Sequence, residues 1–285
     1  LARLDKGQYQ LDGWRAYATR YAPAQAPPPG TTLMQFASLG SGSKGNATLV
    51  RAGGTLVMID CGFSVRETTR RMRRLGVQAE DLDAILVTHE HSDHASGVAA
   101  LSRRFAVPVY LTHGTHATGR LDGGHAYCRF NSEHSFSIGE LAVCAVPVPH
   151  DAAEPCQFRF NWRHCSLGLL TDLGSITPHI VDMYGSCRSL LLEFNHDLPM
   201  LLAGDYPAAL KRRVGGDWGH LNNEQAVDLL RQLGGSRLDH LVVAHVSEKN
   251  NRRELAERAL LSVLKSLDGV TFAQQGEGFD WLQLD

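Results

Sequence analysis

The chain of 285 residues has no apolar run long enough to cross a bilayer, which excludes an α-helical membrane span. It has no excess of one charge. Lys and Arg total 28 against 30 for Asp and Glu, a formal net charge of -2, so no global field draws it to nucleic acid or to a membrane, and a polyanion would have to be held by local patches. It has no C-x-x-C pair. Its six cysteines (Cys61, Cys128, Cys144, Cys156, Cys165 and Cys187) are scattered, a pattern that reads as reduced thiols in a cytoplasmic protein rather than a disulfide framework. The first residues carry Asp5 and Asp12 and no apolar core, unlike a secretory leader. No period repeats, and the one low-complexity tract is a short proline segment. What is present is a 43% hydrophobic composition, enough for one large core.

The proline segment, Ala22-Pro23-Ala24-Gln25-Ala26-Pro27-Pro28-Pro29-Gly30, has a linker composition. It closes a segment, 1–33, that is read as an extension without assigned function, flexible or foreign to the native protein. From Met34 to Asp285 strands alternate with helices. Strands are expected at 34–39, 47–51, 55–60, 83–88, 108–111, 127–130, 141–148, 156–162, 165–171, 188–194, 239–244 and 279–283, with Gly53-Gly54 as a hairpin turn. Helices are expected at 65–75, 95–104, 222–233 and 251–266. This mixture implies α/β layers rather than a pure sandwich.

The densest chemistry is Thr88-His89-Glu90-His91-Ser92-Asp93-His94, which follows the apolar run Ala84-Ile85-Leu86-Val87. Imidazole nitrogens and carboxylate oxygens are the ligands of zinc and similar divalent ions. More ligand-type side chains end other apolar runs: His150 after Leu141–Val148, Asp172 after Leu169-Leu170-Thr171, and His245 after Leu241-Val242-Val243-Ala244. Four strand ends with one habit point to convergence. The count suits two cations. His89, His91 and His150 would hold one, Asp93, His94 and His245 the other, and Asp172 would bridge them. Two ions about 3.5–4 Å apart trap a hydroxide and clamp the attacking and leaving oxygens of a displacement.

The run at 88–94 resembles the H-x-H-x-D-H signature of the metallo-β-lactamase superfamily, with His150, Asp172 and His245 in the order of its remaining motifs. The resemblance covers 34–285 and implies a four-layer αββα sandwich with the metals at one edge. Ser38–Asn46, Pro149–Pro155, Leu192–Asp197, Trp218–Leu221 and Ala244–Asn251 are similar to the YycJ/WalJ branch. That branch is associated with exonuclease-type phosphodiester hydrolysis and stands near the tRNA 3′-processing endonucleases. Asn222 departs from it, standing where the branch carries serine.

The resemblance implies a dinuclear metal-dependent phosphodiesterase acting on nucleic acid, DNA foremost, through a metal-bridging hydroxide. Zinc is the expected cation, with manganese or iron as alternatives. Asp93 is expected to join proton movement besides ligating. Glu193 is expected to orient His220 toward the scissile phosphate, where an imidazolium stabilises phosphoryl charge or protonates the leaving group. Lys44 and Asn46 in the glycine-rich loop, and Ser247 and Lys249 beside His245, are expected to contact substrate. Arg70, Arg71, Arg73 and Arg74, and Lys211-Arg212-Arg213, read as solvated helix faces. The competing reading is a small-molecule ester, thioester or cyclic phosphodiester hydrolase of the same fold. A β-lactamase of the cysteine-containing class would have cysteine where Asp172 stands.

Overall fold

Fourteen strands form two seven-stranded sheets in the computed structural model, which describes residues 33–284. The segment read as an extension, 1–33, lies outside the described residues apart from Leu33. In chain order the strands are β1 (Met34–Gly40), β2 (Ala47–Ala52), β3 (Thr55–Ile59), β4 (Ala84–Leu86), β5 (Val109–Thr112), β6 (Tyr127–Phe130), β7 (Ser135–Ile138), β8 (Leu141–Pro147), β9 (Cys156–Trp162), β10 (Cys165–Leu170), β11 (Ser189–Glu193), β12 (His240–Ala244), β13 (Val270–Phe272) and β14 (Phe279–Leu284). The first sheet runs β14-β1-β2-β3-β4-β5-β6 and the second β13-β12-β11-β10-β9-β8-β7.

Both sheets are built alike. In the first, β14/β1, β1/β2 and β2/β3 are antiparallel and β3/β4, β4/β5 and β5/β6 parallel. In the second, β7/β8, β8/β9 and β9/β10 are antiparallel and β10/β11, β11/β12 and β12/β13 parallel. Central strands such as β3, β10 and β11 are buried along their whole length, because both faces are covered and their sequences are continuous apolar runs rather than alternating ones.

Three cores make the layers. Phe36, Val50, Val57 and Leu86 of the first sheet meet Phe158, Phe160, Leu169 and Val242 of the second. On the outer face of the first sheet, Leu49, Met58 and Ile85 pack with Met72 and Leu101 of the helices Val65–Arg74 and Val98–Phe105. On the outer face of the second, Leu170, Leu192 and Val243 pack with Ile180, Leu229 and Leu260 of the helices Pro178–Tyr184, Asn223–Gln232 and Arg253–Leu260. The result is the αββα sandwich.

Several expectations are corrected. The helix expected at 95–104 is two, Ser92–Ala95 and Val98–Phe105, broken at Gly97. A Cβ there would stand 1.9 Å from the Phe63 carbonyl oxygen, and the Gly97 amide donates to the Cys61 carbonyl. The helix expected at 251–266 ends at Leu260. The arginines of helix Val65–Arg74 are not wholly solvated: Arg71 donates to the carbonyls of Leu39 and Gln275, and Arg74 pairs with Asp280. Asn222, standing where serine was expected, caps helix Asn223–Gln232 by accepting from the Gln225 amide at 2.8 Å, a position asparagine fills as well as serine.

Gly62 braces the histidine loop. Its amide donates to the Asn46 carbonyl, and the Asn46 amide donates to the Asp93 carbonyl at 2.8 Å. A Cβ on Gly62 would lie 1.8 Å from the Asp93 carbonyl oxygen, a backbone atom that cannot swing aside. We expect Gly62→Ala to cost roughly 1–3 kcal/mol of stability and to displace the loop at Asp93. Urea denaturation, with bound metal measured in parallel, checks this.

Candidate metal centre

The parallel strands β3, β4, β10, β11 and β12, and the antiparallel β8, all end at one edge of the sandwich, and the ligand-type side chains follow these ends. His89, His91, Asp93 and His94 leave β4, His150 follows β8, Asp172 follows β10, and His245 follows β12. The structure therefore brings together all seven side chains expected to meet. One donor atom each from His89, His91 and His150 lies within 4.8 Å of the other two. The same holds for Asp93, His94 and His245, and for His89, His94 and Asp172. Asp172 thus faces both groups. Asp172, Glu193, His220 and His245 form a further such set, so the ring of donors is wider than seven.

Hydrogen bonds fix which nitrogen of each ring turns inward. His150 Nδ1 lies 3.0 Å from the Gly219 carbonyl, which can only accept, so Nδ1 carries the proton and Nε2 presents a lone pair. The Thr88 hydroxyl donates to Asp60 at 2.8 Å and accepts from His89 Nδ1 at 2.9 Å, which leaves His89 Nε2 bare. His94 Nδ1 donates to Asp60 at 2.8 Å, so its Nε2 faces Asp172 Oδ2 at 3.0 Å. The bare Nε2 atoms of His89 and His150 lie 3.0 and 3.3 Å from His91 Nδ1, which can donate to at most one of them. Asp172 Oδ2 and His245 Nδ1 are buried without an aligned hydrogen-bond partner. Facing lone pairs and orphaned acceptors are the arrangement a cation completes, so the donors fit divalent metal.

Electrostatics agree. Burial, with His94 nearby, pushes His89 well below the usual imidazole range, and burial lowers His150, so both are neutral, as ligands must be. For His94 and His245 burial works in the same direction, but carboxylates outweigh it. Asp172 and Asp60 raise His94 well above the usual range, and Asp172, Asp93 and Glu193 raise His245 to about 10. Asp172 is held far below the usual carboxylate range by His245 and His94 against the cost of burial. Glu193 sits at about 2: burial opposes its charge, and hydrogen bonds from His220 and His245 outweigh that. Its Oε1 accepts from the amides of Leu173 (2.6 Å) and Leu221 (3.1 Å), while Oε2 lies 3.2 Å from His220 Nδ1.

Asp60 was missed by the sequence reading, although Thr55-Leu56-Val57-Met58-Ile59 ahead of it is another apolar strand ending in a carboxylate. Also missed were Arg120, Arg213, Ser43 and Ser92, which line a cleft of about 450 Å³ over the centre together with Asp151 and His220. None of the four expected substrate contacts lines that cleft. Lys44 pairs with Glu248 at 2.6 Å, and Lys249 Nζ lies 5.6 Å over the Tyr206 ring. Asn46 is buried against Asp93 and His94, and the Ser247 hydroxyl accepts from the Asn250 amide.

The chain belongs to the metallo-β-lactamase superfamily: the family described as Beta-lactamase superfamily domain matches residues 55–245. It is a hydrolase of that fold. Within the superfamily it is 32% identical over 248 residues to Exodeoxyribonuclease WalJ of Streptococcus pneumoniae, covering 84% of this chain and 92% of that protein. It is 41% identical over 271 residues to Ribonuclease Z of Mycolicibacterium gilvum, covering 88% and 90%. In shape it matches the metallo-β-lactamase fold protein YhfI from Bacillus subtilis with a TM-score of 0.69 at 16% identity, covering 88% of this chain and 99% of that one. Among the described residues no helix is long and apolar enough to cross a membrane.

Two expectations follow. Asp60→Asn removes the acceptor that orients His94 and, through Thr88, His89. We expect metal affinity to fall about 10–100-fold, measured by competition with a chelating dye. Because His245 is protonated up to about pH 10 in the metal-free protein, cation entry must expel that proton. Apparent affinity therefore rises with pH below that value, roughly tenfold per unit for each proton released. Calorimetric titration in buffers of different ionisation enthalpy counts the protons.

Proposed function

We propose that this chain is a phosphodiesterase that cleaves nucleic acid, DNA foremost, with two divalent cations, zinc first and manganese or iron as alternatives. One observation carries the reading. Asp172 meets His89 of one donor group and His94 of the other, and the adjoining His220 is held by a buried carboxylate at the cleft. The names of the relatives, an exodeoxyribonuclease and a ribonuclease, support a nucleic-acid substrate. All six cysteines are free, which supports a reducing compartment such as the cytoplasm. Residues 34–285 are read as the hydrolase domain.

In this reading His89, His91 and His150 hold one cation, Asp93, His94 and His245 the other, with Asp172 between them. Bound there, the cations supply Lewis acidity and activate water at neutral pH. The chain's own groups do the rest. Glu193 accepts from His220 Nδ1, which fixes the ring and leaves Nε2 for a phosphoryl or leaving oxygen. Proton donation or charge stabilisation at that atom is worth about 10²–10⁴-fold. Asp93 lies 3.5 Å from His94 and 3.8 Å from His245, and its side chain is partly open to the cleft. That places a carboxylate where a proton is exchanged with solvent. Arg120, and Arg213 paired with Asp151, line the cleft where flanking phosphates would lie.

A substrate panel in zinc and in manganese tests the assignment: single- and double-stranded DNA and RNA, a cyclic nucleotide, bis-p-nitrophenyl phosphate, a thioester and a lactam. DNA is expected to be cut fastest, and faster turnover of the thioester or lactam overturns the reading. His220→Ala is expected to slow DNA cleavage by about 10²–10³-fold with metal content unchanged. Loss of both cations in that variant makes His220 a ligand instead.

A further inference from the structure

Three tryptophans lie among the described residues, and two serve the fold. Trp162 Nε1 donates to Glu140 and Trp281 Nε1 to the Leu75 carbonyl, and each indole lies under an arginine, Arg163 at 4.3 Å and Arg51 at 4.0 Å. Trp218 differs. It is 63% exposed, the most exposed large hydrophobic side chain among the described residues, and no aromatic ring or cation covers it. Its backbone is nevertheless fixed. The Asp151 amide donates to its carbonyl at 3.0 Å, and a Cβ on Gly174 would lie 2.6 Å from its Cα, so this glycine is what lets the two chains touch. The indole is thus carried on a fixed backbone and left open to a ligand.

Its position gives it a use. Trp218 stands two residues before His220, and its backbone partner Asp151 lines the cleft. The cleft is also lined by Arg213, from helix Ala208–Val214, which buries none of its residues and carries Lys211 and Arg212 as well. Arg120 lines the cleft too. An exposed indole one residue from Gly219 of the cleft wall, beside a cleft lined by Arg120 and by Arg213 paired with Asp151, suits single-stranded nucleic acid, with the arginines on the phosphates and the ring on a base face. A hydrophobic protein partner would gain nothing from the arginines. Within a duplex the bases already stack on one another, so away from a blunt end the indole finds a free face on an unpaired base.

Resting on the phosphodiesterase reading above, we propose that Trp218 is a base-stacking platform. It holds an unpaired base next to the scissile phosphate, so that the enzyme engages single-stranded ends. Trp218 is a positioning residue: it touches substrate away from the reacting atoms, and it acts on every base alike because every base has a π-face.

The test uses the metal-loaded full chain and a short single-stranded DNA with a non-cleavable phosphorothioate backbone, beside the same strand bearing abasic residues at its end. Binding of the normal strand is expected to quench tryptophan fluorescence, and Trp218→Ala to bind about tenfold more weakly, with Trp218→Tyr recovering most of the loss. On the abasic strand wild type and Trp218→Ala are expected to bind alike. With cleavable single-stranded DNA the loss is expected in KM, with kcat nearly unchanged. Equal binding of the normal strand by wild type and Trp218→Ala overturns the platform and leaves the nuclease reading standing. Failure of the wild type to bind any strand overturns both. A sedimentation shift from dimer to monomer in Trp218→Ala assigns the indole to a second copy of the chain and also overturns the proposal.

Discussion

A single buried carboxylate orders the centre. Asp60, at the end of β3, accepts from the Thr88 amide, the Thr88 hydroxyl and His94 Nδ1, each at 2.8 Å. Those three contacts tie the strand before the histidine loop to both the start and the end of that loop. They also set the protons. The hydroxyl, committed to Asp60, can only accept from His89, and His94 is pinned by its outer nitrogen. Burial pushes the Asp60 pKa up, and His94 opposes this. Had the loop no such anchor, three neighbouring imidazoles would relieve their facing lone pairs by rotating, and no pocket for a cation would survive.

The backbone carries strain at the same place. Among the described residues five that are not glycine adopt a left-handed conformation, and three of them are Asp60 (φ 60°), Asp172 (φ 56°) and His245 (φ 51°). Asp60 and His245 directly follow the last residues of β3 and β12, and Asp172 stands two residues past the end of β10. The left-handed residue turns the chain out of the sheet while aiming its side chain inward. Glycine would do this without strain but would bring no ligand. A sparsely populated backbone well costs on the order of 1–3 kcal/mol per residue, and it persists because fully buried strands on either side leave no room to relax. Aspartate and histidine are among the residues that tolerate this well best, so the ligand chemistry and the turn chemistry select the same residue types.

That coincidence explains what was legible in the sequence. The seven donors could be read because they gather just past four apolar runs, His89, His91, Asp93 and His94 after one and His150, Asp172 and His245 after one each, and a strand end is where a side chain leaves the sheet. Asp60 obeys the same rule, but Cys61 and Gly62 follow it rather than another ligand, so nothing drew the eye. Strands were legible to within about two residues where they were long and central. β7 and β13 were not, being short edge strands of four and three residues whose burial is incomplete. The helices Pro178–Tyr184 and Leu198–Ala203 were passed over although Thr177-Pro178 and Asp197-Leu198-Pro199 are capping signals, because six or seven residues are too few to show a helical period. The substrate side was least legible. Lys249 was chosen for nearness to His245 in sequence and Lys44 for its glycine-rich loop, whereas the cations that line the cleft, Arg120 and Arg213, come from segments apart from the metal-ligand motifs and reach it through the packing of the sandwich.

The charge pattern also bears on how the centre is filled. In small zinc domains metal binding is itself the folding free energy, because nothing else balances the ligands. Here Asp60, Asp93, Asp172 and Glu193 are set against His94 and His245, both raised far above ordinary imidazole, and the chain closes over them with three extensive cores. Protons can therefore stand in for cations, and the scaffold folds with the donors already placed. On the reading proposed above, binding of cations would displace the imidazolium protons of His94 and His245 from a site whose geometry the sheets already set. The ligand groups are not equal in this exchange. Burial favours neutral His89 and His150, whereas carboxylates favour protonated His94 and His245, so on that reading a cation at the first pair would meet less competition from protons than one at the second.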